Sequence, residues 1–263
     1  MNPTLVAEFA SQGALRASLN LGNPVLARSH TAAEKPAGVS IDLARELARA
    51  LGVAVDFLQF DTAAKSVDAL NRGLADVGFM AIDPLRAAGI HFTPAYVEIE
   101  GSYLVRQDSP IHCNDEVDQA GRRIVVGAGS AYDLYLTRTL QQAQIVRVPT
   151  SEEVVDAMLE RAIDVAAGVR PQLEADAGRV AGTRLLGGRF MVIAQAMAMP
   201  KGRSAEAEAF LDAFVTRMKA SGFVARALAK IERQRNALEV EVRADDVFDE
   251  ALIRGLDQLR FVT

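Results

Sequence analysis

Arg86 is the residue of this 263-residue chain whose type and position most strongly indicate ligand chemistry. It follows a predicted buried strand and lies near the start of a predicted helix. Its planar guanidinium can donate two parallel hydrogen bonds to one carboxylate, whereas a lysine offers only a point charge. The alternative is a surface arginine that pairs with Asp83. From the residue alone, an anchor for an anionic group on a small molecule and a surface arginine both remain open.

A second set of candidates follows the turn that contains Gly127 and Gly129. Ser130, Ala131 and Tyr132 stand at the predicted start of a helix, where a hydroxyl and backbone N–H groups can bind an anion. Ser130 fits equally well as a simple N-cap, which needs no ligand. Tyr132 could line a cleft or pack half-buried, and we favour packing.

Two further strand ends supply candidates without charge. Phe79, Met80 and Ala81 end one predicted strand and would either face a cleft or belong to the core. Asn20 and Asn23 follow the first predicted strand and could offer neutral hydrogen bonds to a ligand. Asn23 could instead only shape the turn before the following proline.

The elements that must position these residues alternate between strands and helices. Residues 14–21 and 53–57 are predicted strands, and residues 41–51 carry the apolar stripe of an amphipathic helix. Residues 101–106 and 190–199 are apolar, extended segments suited to crossing between two lobes. Alternating strands and helices indicate mostly parallel sheets, whose ligands bind at the carboxyl ends of the strands.

One helix-turn-strand unit occurs twice. Val67-Asp68-Ala69 returns as Val155-Asp156-Ala157, and Asp76-Val77 returns as Asp164-Val165, at one constant offset. Two similar α/β halves are the simplest explanation. Within them, Asp42, Asp76 and Asp164 are predicted to be caps or surface turns rather than catalytic carboxylates.

The predicted fold is therefore α/β with two lobes, each a mostly parallel sheet flanked by helices, joined by two crossover segments. Residues 1–104 with 195–235 are assigned to lobe 1 and residues 105–194 to lobe 2. Residues 205–228 are a predicted helix with one break at a glycine. Residues 236–263 are predicted to be a helical tail, with a role in packing or self-association.

Composition excludes several classes of function. The net charge is −5, and no run of basic residues favours nucleic acid. Cys113 is the single cysteine and the histidines lack ligand spacing, so we expect no metal and no cofactor. No stretch approaches the ~20 apolar residues of a membrane span. The first residues lack the features of an export signal, which predicts a cytoplasmic location, or a periplasmic one if a signal has been removed.

Several segments together resemble the family 3 extracellular solute-binding proteins, the amino-acid-type receptors of ABC importers. The most specific are residues 82–86 and 90–96, supported by residues 39–43 and 76–79, and the resemblance spans residues 13–230. It implies a Venus-flytrap fold, reversible ligand binding by hinge closure, and an ABC permease as a partner. It also implies that Arg86 holds the carboxylate of the ligand.

The chain departs from the family at one informative position. The resemblance implies an acidic residue near the second-lobe strand end to hold an α-amino group, but Val169 and Arg170 stand there. An ammonium would be desolvated by the first and repelled by the second. We therefore expect a carboxylate without a free amine. If Arg170 points into the cleft, the ligand could carry two anionic groups; otherwise it is a surface arginine near Glu174.

Three functions remain open from the sequence. The first is a binding protein for a small carboxylate, used in transport or sensing without chemistry. The second is a cytoplasmic enzyme on the same scaffold, similar to the cyclohexadienyl dehydratases, with Glu98, Glu100 or Glu174 as an acid of raised pKa. The third is a cytoplasmic sensor whose acidic tail docks to a partner.

Overall fold

The computed structural model describes residues 2–24, 26–27, 36–230 and 233. Its helices are α1 Pro3–Phe9, α2 Val39–Leu51, α3 Ala63–Asn71, α4 Ala131–Thr139, α5 Val154–Glu160, α6 Arg170–Arg179 and α7 Ala205–Ala220. Its strands are β1 Ala14–Asn20, β2 Ala54–Phe60, β3 Val77–Ala81, β4 Ile90–Phe92, β5 Val97–Arg106, β6 Arg123–Gly127, β7 Gln144–Val148, β8 Val165–Val169, β9 Thr183–Leu185 and β10 Met191–Pro200.

The strands pair in the order β2-β1-β3-β10-β5-β8-β6-β7. The three strands at each end run parallel, and each group is flanked by helices. We call the β1–β4 unit with α1, α2, α3 and α7 lobe 1, and the β6–β9 unit with α4, α5 and α6 lobe 2. This arrangement confirms the predicted two-lobed α/β fold.

Two long antiparallel strands, β5 and β10, join the lobes. Residues 97–101 of β5 pair with β10, whereas residues 101–105 pair with β8. Strand β10 changes partner at Gln195, from β5 to β3. The strand pairing of β5 therefore changes at Gly101, and that of β10 changes at Gln195. The lobe boundaries assigned from the sequence stay a prediction.

Helix α2 shows how local sequence sets an element that borders the cleft. Its buried stripe includes Ile41, Leu43, Leu47 and Leu51, which pack against the lobe 1 sheet. Gly52 ends the helix at a φ of 73°, a left-handed conformation that glycine adopts without steric cost. The predicted helix over residues 41–51 thus exists and begins two residues earlier.

The sequence repeat corresponds to a repeated structural tie. Asp76 precedes β3 and accepts the backbone N–H of Arg16 in β1 at 3.0 Å, and Asp164 precedes β8 and accepts that of Arg123 in β6 at 2.8 Å. Each aspartate therefore joins two neighbouring parallel strands of its lobe. The prediction of a surface turn is wrong for Asp76, whose side chain is buried because it also pairs with the guanidinium of Arg16.

The C-terminal part follows the sequence pattern as far as it is described. Helix α7 ends before Gly222, which has a φ of 71°, and residues 223–230 are helical again. The predicted tail, residues 236–263, lies outside the described residues, as does any self-association through it. Among the helices that the structure describes, none is long and apolar enough to cross a membrane.

Candidate functional site

A cavity of about 50 Å³ lies between the two lobes. The predicted site residues meet there, with the exception of Arg170. Those on its wall are Asn20, Asn23, Phe79, Met80, Ala81, Arg86, Ser130, Ala131 and Tyr132. The cavity lies at the carboxyl ends of β1, β3, β6 and β8, the place where ligands bind in parallel α/β sheets.

Arg86 is buried on this wall, with only 6% of its surface exposed. One N–H of its guanidinium donates to the carbonyl of Ala81 at 3.1 Å, and another donates across the cleft to the carbonyl of Gly129 at 2.9 Å. A guanidinium has five N–H groups, so three have no partner among the described residues. Burial lowers the pKa of Arg86, and the negative charge of Asp83 opposes that effect.

The alternative of a surface pair between Arg86 and Asp83 is wrong. Asp83 is itself buried and forms its salt bridge with Arg138 of lobe 2 at 2.7 Å. Its other carboxylate oxygen accepts the backbone N–H of Leu85 at 2.9 Å. Asp83 therefore fixes the turn that carries Arg86 and joins the lobes, and it leaves the Arg86 guanidinium available to the cavity.

Close contact of the lobes depends on Gly129. Its φ is 69°, and a Cβ atom there would lie 2.8 Å from the Cβ of Ala64 in lobe 1. A larger residue would separate the two surfaces, so the glycine permits the bond between Arg86 and the opposite lobe. The glycine-containing turn thus serves packing between lobes as well as the start of α4.

Ser130 is the N-cap of α4. Its Oγ accepts the N–H of Asp133 at 3.1 Å, and its own N–H donates to the carbonyl of Gly127 at 3.2 Å. The Ser130 hydroxyl also interacts with the Tyr132 hydroxyl, and this interaction lowers the pKa of Tyr132 against the effect of burial. Ala131 and Tyr132 are the first two residues of the helix. Their backbone N–H groups therefore have no carbonyl acceptor within the helix.

Tyr132 is fully buried rather than half-buried, yet it borders the cavity. Its hydroxyl donates to Oγ of Ser151 at 2.8 Å, and Ser151 lies on the same wall. Burial raises the pKa of Tyr132, so it stays a neutral donor. Ser151 thereby keeps a hydroxyl hydrogen of its own for a ligand.

Three helices begin at the cavity. Ser40 lies in the first turn of α2, Thr62 and Ala63 begin α3, and Ala131 begins α4. Helix N-termini carry partial positive charge, so together with Arg86 they favour an anion. Among the described residues Asp61 is the acidic residue on the wall, and Lys65 binds it at 2.6 Å. That hydrogen bond lowers the pKa of Asp61.

The floor and one side of the cavity are uncharged. Phe79 and Ala81 pack with the main core, whereas Met80 packs on the opposite face of the sheet with Leu70 and Ile90. These residues therefore lie on the cavity wall and belong to the core at the same time. Gln195 adds a side-chain amide from β10 that is 4% exposed.

Arg170 stands apart from the cavity wall, and the prediction of a second anion-binding group there is not supported. Its Nε donates to Glu100 at 3.0 Å and another N–H donates to the carbonyl of Gly188. Glu174 lies 3.7 Å from it. Val169, the preceding residue, does line the cavity. Since Glu100 and the Gly188 carbonyl fix the guanidinium, lobe 2 presents a valine where a charge was expected.

The carboxylates proposed for an enzyme do not lie on the described cavity wall. Glu98, Glu100 and Glu174 are all absent from it. Burial raises the pKa of Glu100, but hydrogen bonds and charges from Arg189 and Arg170 outweigh it and hold the pKa below 4.5. A general acid needs a raised pKa, so Glu100 has the opposite property.

Sequence reasoning missed several wall residues. They are Gly22, Leu26, Ser40, Asp61, Thr62, Ala63, Ala128, Pro149, Ser151, Ile193 and Gln195. Some could have been found, because Asp61 and Thr62 directly follow β2 just as Asn20 follows β1. Gln195 gave no signal, since it lies inside an otherwise apolar crossover strand. Within the described part of the chain, no cluster of His, Cys, Asp and Glu could hold a metal ion.

Comparison with known protein families agrees with the fold described above. Residues 24–233 match the bacterial extracellular solute-binding proteins, family 3. The chain belongs to this family. A comparison with curated protein sequences found no match.

Solved structures share the fold at low sequence identity. A mutant of ArgBP from T. maritima superposes with a TM-score of 0.74 at 19% identity, covering 87% of this chain and 99% of that one. The solute receptor for L-cysteine of Neisseria gonorrhoeae gives 0.74 at 21%, covering 94% and 98%. An ancestral amino-acid-binding protein, described as a precursor of cyclohexadienyl dehydratase, gives 0.72 at 21%, covering 86% and 97%. At such identity the likeness establishes the fold.

Proposed function

We propose that the protein reversibly binds a small carboxylate in the cavity between its lobes, with Arg86 as the anchor. The observation that carries this proposal is the buried guanidinium of Arg86, which has three N–H groups without a described partner. A buried cation is costly unless it is paired, and a carboxylate is the group that a guanidinium binds with two parallel hydrogen bonds.

The surroundings of Arg86 support an anion rather than a zwitterion. Three helices begin at the cavity, and Ser151 offers a hydroxyl hydrogen from lobe 2. An α-ammonium would need an acidic partner, but Val169 stands at the lobe 2 strand end and Asp61 is held by Lys65. The cavity therefore suits a carboxylate without an amine.

The test is a binding screen against small mono- and dicarboxylates, aromatic acids and amino acids. Ligand binding to the native state raises the melting temperature in proportion to the logarithm of ligand concentration above Kd, and calorimetry gives the Kd directly. We expect monocarboxylates to bind and Arg86→Met to weaken them at least ~100-fold, because charge-assisted hydrogen bonds are the strong ones.

The matched control is Arg106→Met. Arg106 is also a partly buried arginine that donates to a backbone carbonyl, that of Ile163 at 3.0 Å, but it lies away from the cavity. It should leave the Kd unchanged. Equal weakening by both substitutions, or stronger binding of amino acids than of carboxylates, would contradict the proposal. Mass spectrometry of the recovered ligand checks that it is released unaltered.

We infer that the protein serves an importer as its receptor, outside the cytoplasm, as its family does. Membrane vesicles that contain the cognate permease and ATPase should hydrolyse ATP faster when this protein and its ligand are added together. Cell fractionation should recover the protein outside the cytoplasm. Recovery of the protein in the cytoplasm would contradict the importer role and would favour a sensing role for the same binding site.

A further inference from the structure

One polar atom on the cavity wall has no explanation in the fold. Asn23 is 8% exposed, and its Oδ1 accepts no hydrogen bond from any described residue. Its position is fixed by the backbone, because its carbonyl accepts the N–H groups of Leu26 at 3.0 Å and Ala27 at 3.1 Å. A buried amide oxygen without a donor destabilises the fold, and such atoms in native proteins call for an explanation.

The neighbouring amides differ from Asn23 in an informative way. Oδ1 of Asn20 is already occupied by the N–H of Gly22 at 3.1 Å. The side chain of Gln195 is buried on the same wall and makes no hydrogen bond with the described part of the chain. Asn23 and Gln195 are thus uncharged hydrogen-bonding residues on the wall of the cavity that the proposed ligand occupies.

We propose that the solute carries, in addition to its carboxylate, an uncharged hydrogen-bond donor that binds Oδ1 of Asn23. The chemical class is a hydroxy acid or an acid with a primary carboxamide. This rests on the proposed function, because Arg86 must hold the carboxylate of the same molecule. A hydroxyl or carboxamide satisfies Asn23 without the desolvation cost of an ammonium, which the wall does not compensate.

The experiment uses series of acids that share one carbon skeleton and differ in one substituent. Propionate, lactate, pyruvate and alanine form the series with the substituent at carbon 2; the corresponding butyrates carry it at carbon 3 and at carbon 4. Calorimetry on the full chain should show the hydroxyl member binding at least ~10-fold more tightly than the unsubstituted one in one series. Equal affinities in every series would overturn the proposal.

Two other outcomes would also overturn it. Tightest binding of the carbonyl member would mean that Asn23 presents its NH₂ rather than its oxygen to the ligand. Tightest binding of the ammonium member would mean that a charged group lies at Asn23. If no acid in any series binds, the proposed function itself fails, which is a result distinct from binding without discrimination.

Substitutions locate the effect at Asn23. Asn23→Leu should remove the advantage of the hydroxyl member over the unsubstituted acid, measured as the ratio of their two Kd values in the same variant. Asn23→Asp keeps the shape of the side chain and should strengthen binding of the ammonium member at least ~10-fold. Unchanged selectivity in both variants would contradict the assignment.

Asn114 provides the matched control. Its Oδ1 also lacks a partner among the described residues, but it lies in lobe 2 away from the cavity. Asn114→Leu and Asn114→Asp should leave the order of affinities in every series as it is in the unsubstituted protein. A change as large as that from the Asn23 variants would show that selectivity follows general destabilisation.

Discussion

The two lobes have the same scaffold but contribute different chemistry to the cavity. Lobe 1 provides a buried cation, Arg86, and the amides of Asn20 and Asn23. Lobe 2 provides hydroxyls, the N-terminus of α4 and the apolar Val169. Charge recognition is therefore concentrated in one lobe. Under the proposed function, an anionic ligand would meet a cation in lobe 1 and neutral groups in lobe 2.

The scaffold comparison gives the largest expected effect. Asp76→Ala should destabilise the protein by about 3 kcal/mol, because Asp76 is buried and pairs with Arg16 and Arg203 as well as with a backbone N–H. Asp164→Ala should cost about 1 kcal/mol, since Asp164 is half-buried and its ion pair with Arg122 is 3.9 Å long. Urea unfolding measures both.

Equal losses for the two aspartates would mean that the shared backbone tie, and not the buried ion pair, carries the free energy of unfolding. A larger loss for Asp164 would reverse the comparison, and it would place the more sensitive scaffold in lobe 2.

The second prediction concerns a substitution that places a carboxylate on the lobe 2 side of the cavity. Val169→Asp should raise affinity for amino acids about 10-fold, because a carboxylate on that wall can bind an ammonium. Val169 is also the N-cap of α6 and makes no side-chain cap bond, so an aspartate there could stabilise the helix instead. Val169→Asn separates the effects, since it caps without charge. Equal amino-acid affinity in both variants would contradict the prediction, which calorimetry tests.

The third prediction concerns the hydroxyl pair of lobe 2. Tyr132→Phe should lower the free energy of unfolding by about 1 kcal/mol, because Ser151 loses its hydrogen bond while the ring still fills its buried site. Chemical denaturation measures the loss. Tyr135→Phe on the same helix is a control, since that hydroxyl makes no hydrogen bond within the described residues.

The smallest effect is expected where the lobes join. The pKa of Glu100 is lower in the folded protein than its ordinary value of 4.5. The ionised carboxylate therefore stabilises the fold above pH 4.5, and this contribution is lost as the pH falls through the pKa of the folded state. The melting temperature of Glu100→Gln should therefore be below that of the unsubstituted protein at pH 7. The difference should shrink as the pH falls below 4.5. A difference independent of pH would indicate packing rather than the ion pairs with Arg170 and Arg189.

The sequence predicted the alternating elements, the repeat and nine residues of the cavity wall for a common physical reason. Strand ends and helix starts have local signals, and parallel sheets place those ends together. Ser130 and Asn23 follow from that rule, whereas the anchor role of Arg86 was implied mainly by the resemblance to the family. Asp76 was misplaced because burial of a carboxylate depends on a cation distant in sequence, here Arg16, and local turn chemistry does not reveal it.

Arg170 illustrates the same limit. Its neighbour in sequence, Glu174, was the expected partner, but the closer carboxylate is Glu100 from a crossover strand. Which way the side chain points was decided by a pairing between β5 and β8 that brings Gly101 opposite Val169. Register between distant strands is not encoded in any short segment, so the direction of such a side chain cannot be predicted locally.

Gln195 stands where β10 exchanges one strand partner for another, and its side chain is on the cavity wall. In any rotation of one lobe against the other about these strands, a point on the axis moves least. A ligand that is hydrogen-bonded to Gln195 would therefore keep that contact in every orientation of the lobes. Its contacts with Ser130 and Ser151 would form or break as the angle between the lobes changes. Gln195 would add to the total affinity equally in all orientations, and the energetic drive for rotation would come entirely from residues far from the axis.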